Sequence, residues 1–172
     1  MSDKKFKLAL CQIRTDFDVD TTMNKTEAML HEAAEHGAQV VCLPEMYCCQ
    51  YRNAAFRMFA ERGSDDIVEK MARWAKEYGL LLVGGSIPEV ENGRMYNTCY
   101  VFDRSGAQLV KYRKMHLFDS DLPELRSHES EIFGQGNSIA VFDTEFGRMG
   151  VAGADTHAVP ARSGACFSPG AV

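Results

Sequence analysis

A chain of 172 residues with 45% hydrophobic and 25% charged side chains has the composition of one globular domain, long enough to build a core without disulfide or metal staples. Its net charge of −5, with Lys and Arg scattered except at Lys111, Arg113 and Lys114, excludes the electrostatic footprint of a nucleic-acid binder. No apolar run suits a membrane span or a secretory leader, and the six cysteines follow no framework spacing, so a reducing cytoplasm is the expected setting.

In chain order, Phe6 to Arg14 is apolar and partly alternating, which predicts a first strand. Asp20 and Thr21 offer N-cap chemistry for a helix with Met23, Leu30, Ala33 and Ala34 on its apolar face, and Gly37 stands where a C-terminal glycine belongs. Ala38 to Leu43 is a short apolar run, the pattern of a strand covered on both faces, so the segment is a βαβ unit. Cys48 and Cys49 are adjacent in a loop and read as ordinary free thiols. A second helix is predicted from about Asp65 to Tyr78, capped by Ser64, with Ile67, Met71, Trp74, Ala75 and Tyr78 on one face. Core packing accounts for Trp74 more simply than a ligand stack.

Leu80 to Gly85 supplies another buried strand. Tyr96 to Asp103 and Gln108 to Arg113 are strands joined by the turn Arg104-Ser105-Gly106. Residues 115 to 137 are polar with little periodicity and are expected to form a long functional loop. Ser138 to Phe142 and Arg148 to Ala152 are two more strands around the turn Thr144 to Gly147. Alternating βα units followed by paired strands predict an α/β layered fold. Residues 1–152 read as one domain and 153–172 as an anomalous tail rich in Gly, Ala and Pro.

Three polar residues follow strands or lie in the long loop, where α/β folds place their sites: Glu45, Lys114 and Glu129. A carboxylate beside an ammonium in a partly desolvated pocket can act as general base while the ammonium holds developing negative charge. Alone, each is weak evidence, since a glutamate after a strand is more often a surface residue. Their surroundings, LPEMY at Glu45, KYRKMHLFD at Lys114 and FDTEFGRMGVA at residues 142 to 152, resemble the nitrilase superfamily of carbon–nitrogen hydrolases in order and spacing, from about Lys7 to Ala152. HLFDSDLP followed by Glu129-Ser130 is most similar to the omega-amidase and Nit-like branch, whose members hydrolyse small amides such as monoamides of dicarboxylic acids.

The resemblance implies a nitrilase-like α-β-β-α sandwich, here incomplete at the carboxy terminus, and a Glu–Lys–Cys site. Glu45 would be the general base, Lys114 the oxyanion stabiliser, and Glu129 a further glutamate that positions Lys114 and substrate. It implies a small-molecule amide substrate, no cofactor or metal, and a homo-oligomer for an intact relative; charge and hydropathy add the expectation of no nucleic-acid or membrane partner.

One departure stands out. Where the family has its cysteine, counting from Gly150, this chain has Ala154. Cys166 has neighbours that echo the family motif but follows Ala154 by twelve residues, in the tail. The chain is therefore expected to be inactive as written, and a non-catalytic protein that binds small carboxylates or amides is the alternative. A metal site from His116, Asp119, Asp121, His128 and Glu129 is a third reading, although those spacings fit no standard ligand pattern.

Overall fold

The computed structural model describes residues 5–122 and 125–152. Strand β1 (Leu8–Leu10) leads into helix α1 (Val19–Glu35), strand β2 (Val40–Cys42), helices α2 (Asn53–Arg62) and α3 (Asp65–Glu77), and strand β3 (Leu81–Val83). These three strands pair in parallel, as the βαβ reading requires. The antiparallel strands β4 (Ile87–Glu91), β5 (Arg94–Phe102) and β6 (Gln108–Arg113) extend the same sheet. Two small hairpins, β7 (Asp119–Leu122) with β8 (Leu125–His128) and β10 (Ala140–Thr144) with β11 (Gly147–Val151), follow on either side of β9 (Phe133–Gly134), which joins β5 in parallel.

The sheet is apolar on both faces because its strands alternate. Val41, Leu82, Tyr100 and Phe102 point to the helices and pack with Met23, Leu30, Ile67, Met71 and Trp74. Their neighbours Val40, Leu81, Cys99, Val101 and Tyr112 point the other way, against Ala140, Phe142 and Met149 of the β10–β11 hairpin. This is the period-two rule at work: a shift of one residue would exchange the two faces. Helix α3 puts Ile67, Met71, Trp74 and Ala75 on its buried face, and Trp74 is core. Cys48 and Cys49 are buried as well.

Several expectations need correction. The cap of α1 is Asp18, whose carboxylate accepts the Thr21 N–H at 2.8 Å; Asp20 lies inside the first turn. Gly37 does take the positive φ of a helix-terminating glycine. Helix α2 was not expected: it has no side-chain cap and only Phe56 and Phe59 buried, so its periodic signal is weak. Residues 115 to 137 are not a structureless loop, since they hold β7, β8, a 3₁₀ turn (Glu129–Glu131) and β9. Those pieces are too short for alternation to reveal them. The proposed tail, residues 153–172, lies outside the described residues, with Ala154 and Cys166.

Candidate active site

The site forms on the hairpin side of the sheet, beyond the ends of β2 and β6. After β2 the chain turns through Pro44 and Glu45 to Met46, which holds φ at +50°, a conformation disfavoured for a side-chain-bearing residue. Two contacts hold that turn in place. The Met46 N–H donates to Ser86 Oγ at 3.1 Å, and the Ser86 N–H donates to the Pro44 carbonyl at 3.3 Å. Gly85 permits this approach, since a Cβ there would sit 2.1 Å from the Pro44 oxygen. Gly136 does the same beside Lys114: its N–H donates to the Lys114 carbonyl at 2.9 Å, and a Cβ would strike the Arg113 oxygen at 2.1 Å.

Those turns bring Glu45, Lys114 and Glu129 together. Lys114 Nζ lies 3.0 Å from Glu45 Oε1 and 2.9 Å from Glu129 Oε2. Lys114 is 3% exposed and Glu129 2%. Burial alone would pull the Lys114 ammonium down, but the hydrogen bond it donates to Glu129 and the charges of both glutamates hold it above the usual lysine range. It is therefore a fixed cation at neutral pH.

The two glutamates are held differently. Glu129 has both oxygens committed: Oε1 accepts the Tyr51 hydroxyl, and Oε2 accepts the Phe118 N–H at 2.7 Å as well as Lys114. Among the described residues Glu45 is anchored through one oxygen, Oε1, which accepts Asn97 Nδ2 at 2.7 Å and Lys114 Nζ at 3.0 Å. Its side chain is 30% exposed and faces a cavity of about 200 Å³. That cavity is lined by Glu45, Asn97, Cys99, Tyr112 and Lys114, among others, and by Val151 and Ala152 at the end of β11. The thiol of Cys99 is pushed up to about 12 by burial and by nearby Cys42, so it is a neutral wall at physiological pH.

A cavity of this kind, with a half-free carboxylate and a lysine that has a donor to spare, can hold a small polar carbonyl compound. Described as Carbon-nitrogen hydrolase, one family model matches residues 7–171. The chain belongs to the carbon–nitrogen hydrolase family. Omega-amidase NIT2-B of Xenopus laevis is 43% identical over 148 residues, covering 86% of this chain and 54% of that protein. Omega-amidase NIT2 of Homo sapiens is 39% identical over 147 residues, covering 85% and 53%. The chain thus spans about half the length of the curated relatives it matches. The crystal structure of Nit3 from Saccharomyces cerevisiae, a member of branch 10 of the nitrilase superfamily, superposes with a TM-score of 0.71 at 26% identity, covering 83% of this chain and 54% of that one. A mutant of the amidase from Nesterenkonia sp. AN1 in complex with butyramide superposes at 0.79 over 94% of this chain and 60% of that one; at 19% identity it speaks for the fold alone. The nitrilase-superfamily fold and the omega-amidase-like kinship expected from the motifs are both borne out.

Asn97, Tyr51 and Ser86 were not singled out as site residues. Asn97 had a usable signal: it is a polar residue on the face of β5 that also carries Cys99, in a strand otherwise buried. Tyr51 had none, because it acts from a loop remote in sequence from Glu129. Among the described residues, four of the five in the metal reading have other partners, His116 being the exception. His128 pairs with Asp121 at 3.1 Å, Asp119 accepts the Ser130 N–H at 3.0 Å, and Glu129 serves Lys114. Among the described residues no group of three or more His, Cys, Asp or Glu is placed to share a metal ion.

Proposed function

We propose that this chain carries the base and oxyanion elements of an omega-amidase-type site for small amides, and that Ala154 in the nucleophile's position leaves it without turnover. The observation that supports this reading most is the contrast between the glutamates around Lys114. Glu129, buried and fully engaged, positions the ammonium. Glu45 keeps one oxygen for the cavity, as a general base must. Strand β11 ends in the cavity wall at Val151, and Ala152, also in that wall, stands two residues before Ala154.

With a cysteine at that position, Glu45 takes the thiol proton and the thiolate attacks the amide carbonyl carbon. Lys114 stabilises the oxyanion with the N–H not used by the two glutamates. Collapse breaks the C–N bond, and the leaving nitrogen recovers the proton from Glu45 as ammonia. Water, deprotonated by Glu45, then hydrolyses the thioester to the carboxylic acid. A methyl group cannot take the first step, and loss of a nucleophile from such a unit costs on the order of 10⁶ in kcat, as in a serine protease.

The test is ammonia release from small amides, including glutaramate, by the unmodified chain beside Ala154→Cys. Turnover only with Ala154→Cys supports the reading. Turnover by the unmodified chain that disappears with Cys166→Ala overturns the placement of the nucleophile. A second reading, a binding protein for small amides or carboxylates, draws on the same preformed charge cluster. It predicts a thermal shift with glutaramate, because a ligand specific to the folded state raises its stability.

A further inference from the structure

The geometry points to Asn97 as the residue that decides which oxygen of Glu45 faces the ligand, making it a positioning residue for the site; this rests on the reading of Glu45 as the base. Asn97 sits in β5, a strand hydrogen-bonded to four others, and is 2% exposed. A buried side-chain amide in a strand is costly unless its polar atoms are used. Asn97 uses its position twice. Its Nδ2 donates to Glu45 Oε1 at 2.7 Å, and its backbone carbonyl accepts the Lys114 N–H at 2.9 Å. One residue thus ties the base and the cation to a rigid strand.

The consequence is asymmetry within the Glu45 carboxylate. Asn97 and Lys114 both donate to Oε1, and among the described residues Oε2 receives no donor. The carboxylate is therefore held against rotation, with Oε2 left for the cavity. A primary amide placed there can donate its N–H to Oε2 and accept the remaining Lys114 N–H at its carbonyl oxygen. Without Asn97, Glu45 retains, among the described residues, the lysine contact alone and can rotate so that either oxygen, or neither, meets the ligand. Positioning of this kind matters because a misplacement of about 1 Å can cost about a hundredfold in rate.

Two substitutions separate positioning from mere support. Asn97→Ala removes the donor. Asn97→Asp keeps the shape but places a second carboxylate beside Glu45, and repulsion between the two favours uptake of one shared proton as the pH falls. As the pH falls, the shared proton supplies an O–H donor where the amide N–H had been. Butyramide affinity, followed by NMR titration on the unmodified chain and both variants, is expected to fall about tenfold in Asn97→Ala at every pH, the equivalent of about 1.4 kcal/mol. Asn97→Asp is expected to be weak at neutral pH and to recover as the pH is lowered. Unchanged affinity in Asn97→Ala, or equal losses in both variants with no recovery in acid, overturns the proposal.

A readout without ligand keeps the proposal separate from the amide reading. The side-chain amide protons of Asn97 are expected to exchange slowly with solvent and to shift in Glu45→Gln. Fast exchange and no shift overturn the Asn97 proposal. Slow exchange and a clear shift, with no butyramide binding by any version of the chain, uphold the clamp on Glu45 and overturn the amide reading instead.

Discussion

Strand β6 and the residue after it hold two charge networks that use the same residue types for different ends. Lys111 and Arg113 project to one face and meet Glu89 and Glu91 of β4; Arg113 lies 2.8 Å from Glu91 and stacks over the Tyr96 ring at 3.9 Å. Lys114 projects to the opposite face with Tyr112 and meets Glu45 and Glu129. The first network runs across three consecutive antiparallel strands, so sheet register alone assembles it. The second draws on Glu45, Asn97, Lys114 and Glu129, from parts of the chain far apart. The first ladder is closed: Glu89 accepts Thr98 Oγ1 at 2.7 Å as well as both cations. The second, among the described residues, leaves Glu45 Oε2 without a donor beside a cavity that Lys114 also lines. Chemistry is available where charge is brought together but not fully spent.

The largest expected effect that would break this comparison is at Lys114. Lys114→Met strands Glu129 as a buried, uncompensated carboxylate and is expected to cost about 3–5 kcal/mol in urea unfolding. Adding Glu129→Gln should recover a substantial part, because the stranded charge is gone; no recovery would mean that Lys114 matters chiefly through packing.

Next comes Glu89→Gln, expected to cost about 1.5–3 kcal/mol near neutral pH. Burial alone would raise the Glu89 carboxyl, but hydrogen bonds from Arg113, Lys111 and Thr98 bring it below the usual range. Its contribution is therefore fully present above the unfolded value of about 4.3 and is lost as pH falls through the lower folded value. The stability gap between the chain and Glu89→Gln should close in acid. A gap that persists there refutes the charge origin. For Lys114 the sign is opposite: its pKa is raised, so its contribution is full below the unfolded value of about 10.4 and is lost as pH rises through the folded one.

Tyr51→Phe tests the outer edge of the site. Removing the hydroxyl that donates to Glu129 is expected to cost about 1 kcal/mol in unfolding free energy, with Lys114 still held by the Phe118-anchored oxygen. The smallest effect is expected at the exposed pair Asp143 and Arg148 on the β10–β11 hairpin, 2.9 Å apart. Asp143→Asn should leave the unfolding midpoint unchanged, because solvent screens such a pair. A measurable loss would show that the hairpin depends on it.

What could be read before the fold was known follows from local rules. The α3 face from Ile67 to Ala75 and the apolar strands β2 and β3 announce themselves because periodicity reports one-sided or two-sided burial over a short stretch. Helix α2 escaped because Asn53–Arg62 buries only Phe56 and Phe59 and has no side-chain cap. Strands β7, β8 and β9 escaped because two to four residues cannot display a period.

The same boundary runs through the site. The sequence by itself determined the layered α/β fold and the family, and offered Glu45, Lys114 and Glu129 as candidate site residues, since short motifs and hydrophobic periods are local properties. Only the tertiary structure decided that both oxygens of Glu129 are engaged while, among the described residues, Glu45 accepts through Oε1 alone, with Tyr51 and Asn97 among the donors. Those facts depend on strand register and on close backbone approaches at Gly85 and Gly136 between segments remote in the chain. No local pattern encodes which oxygen of a carboxylate a distant amide will reach.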